Sequence, residues 1–103
     1  MIASSDFTIF TEFYHKHKNQ ILSYILYRVS FQHSVAEDLT SEIFIKAFEH
    51  FDSFDKTRSF KTWIFTIARN HLINYYKARK ETLSLDEAIK VVDGKHPNET
   101  VEE

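Results

Sequence analysis

The sequence predicts an all-α domain with an acidic C-terminal tail, and three observations lead there. One Gly and one Pro occur in the whole chain, at positions 94 and 97, so what precedes them lacks the turn punctuation of a many-stranded sheet. Apolar residues recur at three- and four-residue steps over three long stretches, the period of a helix buried along one side. Hydrophobic residues make up 43% of 103 positions and include ten Phe, enough for one shared core and no more than one domain.

Ser5 or Asp6 can cap a first helix, along which Phe7, Phe10, Phe13/Tyr14, His17, Ile21, Tyr24/Ile25 and Arg28 follow to about Val29. Phe31-Gln32-His33 reads as a short connection. Ser34 followed by Glu37 matches a capping box, so a second helix is expected from there to about His50, with Val35, Leu39, Ile43, Ala47 and Phe51 on its stripe. Asp52 to Arg58 is a polar loop holding a lone Phe54. Ser59 offers an N-cap for a third helix from Phe60 to roughly Lys80. At about 100° per residue, Phe60, Trp63, Ile64, Ile67, His71 and Tyr75 share one face, and Phe65, Arg69, Leu72, Tyr76 and Lys80 share the opposite one. A helix that only closes a small bundle does not usually carry two apolar-aromatic faces. Residues 81–103 have weak periodicity, at best one short helix around Leu83, Leu85, Ala88 and Ile89. They read as a mobile linker or tail beyond a domain of residues 1–80.

Charge is distributed unevenly. Residues 56–80 hold seven Lys/Arg and no Asp or Glu, whereas residues 1–55 carry four basic against eight acidic side chains and residues 81–103 two against seven. The net charge of −2 therefore conceals a basic centre between acidic ends. Phe60, Trp63, Phe65, Tyr75 and Tyr76 lie among the cations. Cations track phosphates and ring faces stack on unpaired bases, so single-stranded nucleic acid is one ligand this pattern suits. A solvated helix face with core aromatics behind it produces the same pattern.

Other classes find no support. The chain has no Cys, hence no disulfide framework or thiolate metal site. No apolar run is long enough to span a membrane, and Asp6 and Glu12 interrupt any signal peptide, so a soluble, cytoplasmic protein is expected. The six His include no metal-binding motif, His15 and His17 pointing to different sides of a helix. No nucleophile–base pair, Gly-rich phosphate loop or dinucleotide fingerprint appears, so neither enzyme activity nor a cofactor is expected.

The run Val35-Ala36-Glu37-Asp38-Leu39-Thr40-Ser41-Glu42-Ile43-Phe44-Ile45-Lys46-Ala47-Phe48, then Asp52-Ser53-Phe54, then Ser59-Phe60-Lys61-Thr62-Trp63-Ile64-Phe65-Thr66-Ile67-Ala68-Arg69-Asn70-His71 and on to Tyr75-Tyr76-Lys77 resembles a known family. It is similar to conserved region 2 of bacterial RNA polymerase sigma factors of the extracytoplasmic-function (ECF) group, over about residues 7–80. The resemblance implies a compact three- to four-helix bundle with two working surfaces. One docks on the clamp helices of the largest polymerase subunit. The other captures the non-template strand of the −10 promoter element as the duplex opens, which favours the melted state.

Carried onto this sequence, the resemblance places Asp38, Ser41 and Glu42 at the polymerase, with Ser41 standing where the family usually has Gln. Asp38 and Glu42 are one turn apart and off the Leu39/Ile43 stripe, though carboxylates early in a helix also complement its dipole. The loop corresponds to the family's pocket for one flipped base, for which Ser53, Phe54, Lys56 and Arg58 offer a ring surface, donors and acceptors. Phe54 could equally close the core, and the family often has Gly near Lys56. Asn70 and Asn74, one helical turn apart, suit base edges. Arg58, Lys61, Arg69, Lys77, Arg79 and Lys80 are the expected phosphate contacts, and Phe65 and Tyr76 the stacking candidates, while Trp63 fits the core better.

An ECF factor has a further helix-turn-helix domain, so residues 81–103 would lead toward a missing region 4. Two rivals differ in what they bind. A duplex-reading three-helix protein would need a shorter turn, with Gly, between its second and third helices. A helical protein–protein interaction module, held for example by an anti-sigma inhibitor, would bind a protein and no DNA.

Overall fold

In a computed structural model of the chain, residues 4–79 and 82–96 are described. They form four helices and one 3₁₀ turn, with no strand among the described residues: α1 (Ser4–Arg28), α2 (His33–Glu49), the turn Phe51–Ser53, α3 (Phe60–Arg79) and α4 (Leu85–Asp93). The all-α bundle is as expected, and the three long helices end within a residue or two of the expected boundaries.

Buried side chains explain why these stretches pack. Ile21 and Ile25 of α1, Ile43 and Ala47 of α2, and Ile64, Ala68 and Leu72 of α3 are all fully buried. Each set recurs at the helical three- or four-residue step, so each helix turns one stripe inward. At the end holding the α2–α3 connection the core becomes aromatic. Phe51 is fully buried, and Phe13 stacks on Phe60 with ring centres 4.4 Å apart and planes 10° from parallel. Phe10 meets Phe44, Phe51 and Phe60 edge-on, which aromatic quadrupoles favour.

Two local expectations fail, both at helix starts: α1 is already helical at Ser4, so neither Ser5 nor Asp6 is its cap. The Ser34–Glu37 capping box does not form: α2 begins at His33 with Gln32 at its N-cap and no side-chain cap. The cause lies upstream. Ser30 and Phe31 both adopt left-handed backbone, φ 57° and 58°, and the Phe31 N–H donates to Leu26 O at 2.9 Å. This turn brings the chain into helical geometry before Ser34, whose side chain is then inside the first turn. A capping box exists elsewhere: Glu87 N–H donates to Ser84 Oγ at 3.1 Å, and Ser84 N–H donates to Glu87 Oε1 at 2.8 Å.

That second box starts α4, the one short helix that the weak periodicity allowed in a stretch otherwise read as a linker or tail. Ala88 and Val92, four residues apart, are fully buried, and α4 packs on α3. The packed unit therefore continues past residue 80 to at least Asp93. This also accounts for the two apolar faces of α3. Phe65 lies edge-on to Tyr24 of α1, Tyr76 Oη donates to the Arg28 carbonyl of α1, and α4 covers a further flank.

Candidate polymerase and nucleic-acid interfaces

Two surfaces carry the expected site residues. On α2, Asp38, Ser41 and Glu42 are all exposed, and the helical repeat puts them on one side. Glu42 Oε1 accepts from His71 Nε2 of α3 at 2.8 Å, which ties this face to the next helix. Sequence reasoning missed Ile45. It is 59% exposed, one turn beyond Ser41 and off the buried Leu39/Ile43 stripe. An Ile four residues after Ser41 on a polar face was the available signal.

The second surface runs along α3. Ser59 caps the helix as expected, its Oγ accepting from Thr62 N–H at 3.2 Å. Asn70 and Asn74 are exposed on one edge, and Lys61 is half-buried near the helix start. A groove of about 330 Å³, lined by Lys16, Gln20, Ser59 and Lys61 over Phe13, His17 and Phe60, opens between α1 and this end of α3.

The connecting loop is held by its own polar groups. Asp55 Oδ1 accepts from Thr57 N–H at 3.0 Å and Thr57 Oγ1 at 2.7 Å, and these bonds hold the Asp55 carboxyl below its ordinary range. Arg58 Nε lies 3.5 Å from Asp55, and Ser53 Oγ donates to His50 O at 2.7 Å. Lys56 Nζ sits 4.6 Å from the Phe51 ring centre and 3.8 Å from Asp6. The backbone passes Lys56 without a left-handed φ, so no Gly is required there.

Three of the expected contacts pack wholly or partly within the bundle. Phe54 is only 6% exposed, with its ring 4.7 Å from Trp63 and 5.7 Å from Phe51. It closes the aromatic core, because three large rings already line that space and a fourth gains more from them than from water. Phe65 and Tyr76 are half-buried against α1. Burial also raises the Tyr76 phenol above its ordinary pKa.

The cations of α3 are partly engaged inside the chain. Arg69 Nε and Nη2 each donate to the Asp93 carboxylate of α4 at 2.9 Å, a two-pronged pair. The Arg69 guanidinium holds Asp93 below the usual carboxylate range, and Asp93 in turn raises Arg69. Lys77 Nζ donates to Leu83 O at 2.6 Å, and Arg28 Nε donates to Val92 O at 2.7 Å. Arg79 lies 5.2 Å from the Tyr75 ring centre. Lys80 lies outside the described residues.

Residues 13–82, which take in α2, the loop and α3, match the family described as Sigma-70 region 2. The chain belongs to the sigma-70 region 2 family. Its curated relatives agree. It is 39% identical over 59 residues to the ECF RNA polymerase sigma factor SigW of Bacillus subtilis, covering 57% of this chain and 32% of that protein. It is 32% identical over 76 residues to the ECF RNA polymerase sigma factor SigM of the same organism, covering 74% and 45%. A probable RNA polymerase sigma factor of Haemophilus influenzae matches at 37% over 62 residues, covering 60% and 31%. The chain thus spans between 31% and 45% of the length of these relatives. No solved structure gives a significant match. The match makes this a region 2 domain of the ECF group, and it ends before α4 begins at Leu85. No helix among the described residues is long and apolar enough to cross a membrane.

Proposed function

We propose that this region 2 domain docks on core RNA polymerase through α2 and captures the non-template strand of the −10 promoter element along α3. The observation that carries the reading is the exposed Asn70–Asn74 edge, set within the family match on a helix whose 20 residues contain no carboxylate. Side-chain amides both donate and accept, so two of them one turn apart can meet successive base edges. Lys61 and Arg58 then follow the phosphates, and the loop from Asp52 to Arg58 borders the strand.

The mechanism is a difference in binding. Bases inside a duplex hide their edges, whereas a melted strand offers them, so a surface that fits the open form draws the equilibrium toward opening. With Phe54 in the core, a flipped base would rest on the polar rim of the loop and the exposed face of α3. On the neighbouring helix α2, Asp38, Ser41 and Glu42 complement basic side chains of the polymerase clamp helices, and Ile45 supplies an apolar contact within that charged ring. The domain acts in the cytoplasm, where polymerase is, makes and breaks no covalent bond, and is open to capture by an anti-sigma inhibitor over the same faces.

The test is fluorescence anisotropy with labelled DNA at low salt. The expected result is saturable binding to a single strand of −10 sequence, weaker binding to its intact duplex, and loss of sequence preference in Asn70→Ala and Asn74→Ala. Equal or tighter binding to the duplex would replace this reading with a duplex-reading one.

A further inference from the structure

The C-terminus of α4 meets α3 at the cation next to the base-reading edge. Arg69 offers the fork of its guanidinium to both oxygens of Asp93, with Nε–Oδ1 and Nη2–Oδ2 at 2.9 Å, while its Nη1 lies 3.4 Å from Asn70 Oδ1. Carboxylate and phosphate present the same pair of acceptor oxygens to that fork, so Asp93 sits where a backbone phosphate would sit.

Asp93 is placed there by a built element rather than by a wandering side chain. The Ser84–Glu87 capping box fixes the start of α4, and Ala88 and Val92 seat it at zero exposure. Arg28 Nε and Lys77 Nζ hold the carbonyls of Val92 and Leu83. Nine residues are too few for a stable isolated helix, so α4 exists by virtue of this docking.

We propose that Asp93 is a positioning residue that occupies the phosphate seat of Arg69 and so removes one sequence-independent contact from the DNA face of the domain. The proposal rests on the reading of α3 as the strand-capturing helix. A phosphate contact strengthens binding to every sequence alike. With Arg69 held by Asp93, the free domain binds stray single strands more weakly, and recognition depends on the Asn70–Asn74 edge.

The experiment titrates a short labelled single strand, and variants of it changed at one base, into the whole chain at several salt concentrations. The proteins are wild type, Asp93→Asn, Arg69→Gln and the double variant, each checked for native helicity. Asp93→Asn is expected to tighten binding to all strands about threefold to tenfold and steepen the log–log salt slope by about 0.7, the value of one phosphate on single-stranded DNA. Discrimination between bases stays unchanged. Arg69→Gln alone leaves the wild-type slope, and in the double variant it cancels the gain. An unchanged slope in Asp93→Asn, or a slope already reduced in Arg69→Gln, overturns the proposal while leaving strand capture in place. Failure of wild type and both single variants to bind any strand at low salt overturns strand capture, and this proposal with it.

Discussion

On α2 the side chains proposed to meet a partner stand exposed: Asp38, Ser41, Glu42 and Ile45, with Glu42 steadied by His71. On α3 several of the side chains expected to meet DNA already have partners within the chain, Arg69 on Asp93, Lys77 on Leu83 O and Tyr76 on Arg28 O. The first surface can be covered as it is. The second combines an open edge, Asn70 and Asn74, with a flank whose cations must exchange one partner for another. Exposure, rather than residue type, separates groups ready for a macromolecule from groups that hold the bundle together.

The largest effect tests whether Phe54 belongs to the core or to the DNA face. Phe54→Ala should lower the free energy of unfolding in urea by about 3–5 kcal/mol, the cost of emptying a packed aromatic site. A loss below about 1 kcal/mol would return Phe54 to the base pocket. The open face of α2 comes next. Ile45→Asp should weaken polymerase binding by about 2 kcal/mol, as loss of a central apolar contact does, and leave stability within about 0.5 kcal/mol. An equal loss of stability would show that Ile45 packs within the domain. On the open edge of α3, Asn74→Ala should cost about 1–3 kcal/mol of discrimination at one base position, measured by competition between strands differing there.

The smallest effect concerns the flank under α4 and depends on pH. Asp93 and Glu87 are both held below their ordinary values, Asp93 chiefly by Arg69 and Glu87 by Ser84 N–H. A carboxylate whose folded pKa is depressed contributes stability that is fully present above its unfolded value, near 4, and is lost as pH falls through the folded value. Amide protection factors in α4, taken relative to the unfolded amide at the same pH, should therefore fall below about pH 4 ahead of those in α2 and α3, as hydrogen exchange by NMR would show. A simultaneous fall in all helices would mean that α4 is no weaker than the rest.

Much of this arrangement was legible in the sequence. Repeated large apolar residues marked α1, α2 and α3, and the ordered motif from Val35 to Lys77 marked the family. α4 was legible only as at best one short helix, because its buried stripe is only Ala88 and Val92, small residues among acidic ones and just ahead of Gly94 and Pro97. Its Ser84–Glu87 signature has the same form as Ser34–Glu37, and spacing alone does not separate the two. The difference is the left-handed turn at Ser30 and Phe31, which no composition rule foretells for a Ser-Phe pair. The role of Phe54 depends on rings supplied by residues 51, 60 and 63, and the partner of Arg69 lies 24 positions away. Both are properties of packing.

The central claim is that the exposed acidic face of α2 is a polymerase-docking surface. Its most direct test is equilibrium binding of the whole chain to core RNA polymerase, wild type against Asp38→Arg. The account predicts saturable binding by wild type and a loss of about a hundredfold or more in the variant, since reversing one charge sets like against like and costs several kcal/mol. Equal affinity in the two proteins, both folded, would contradict it.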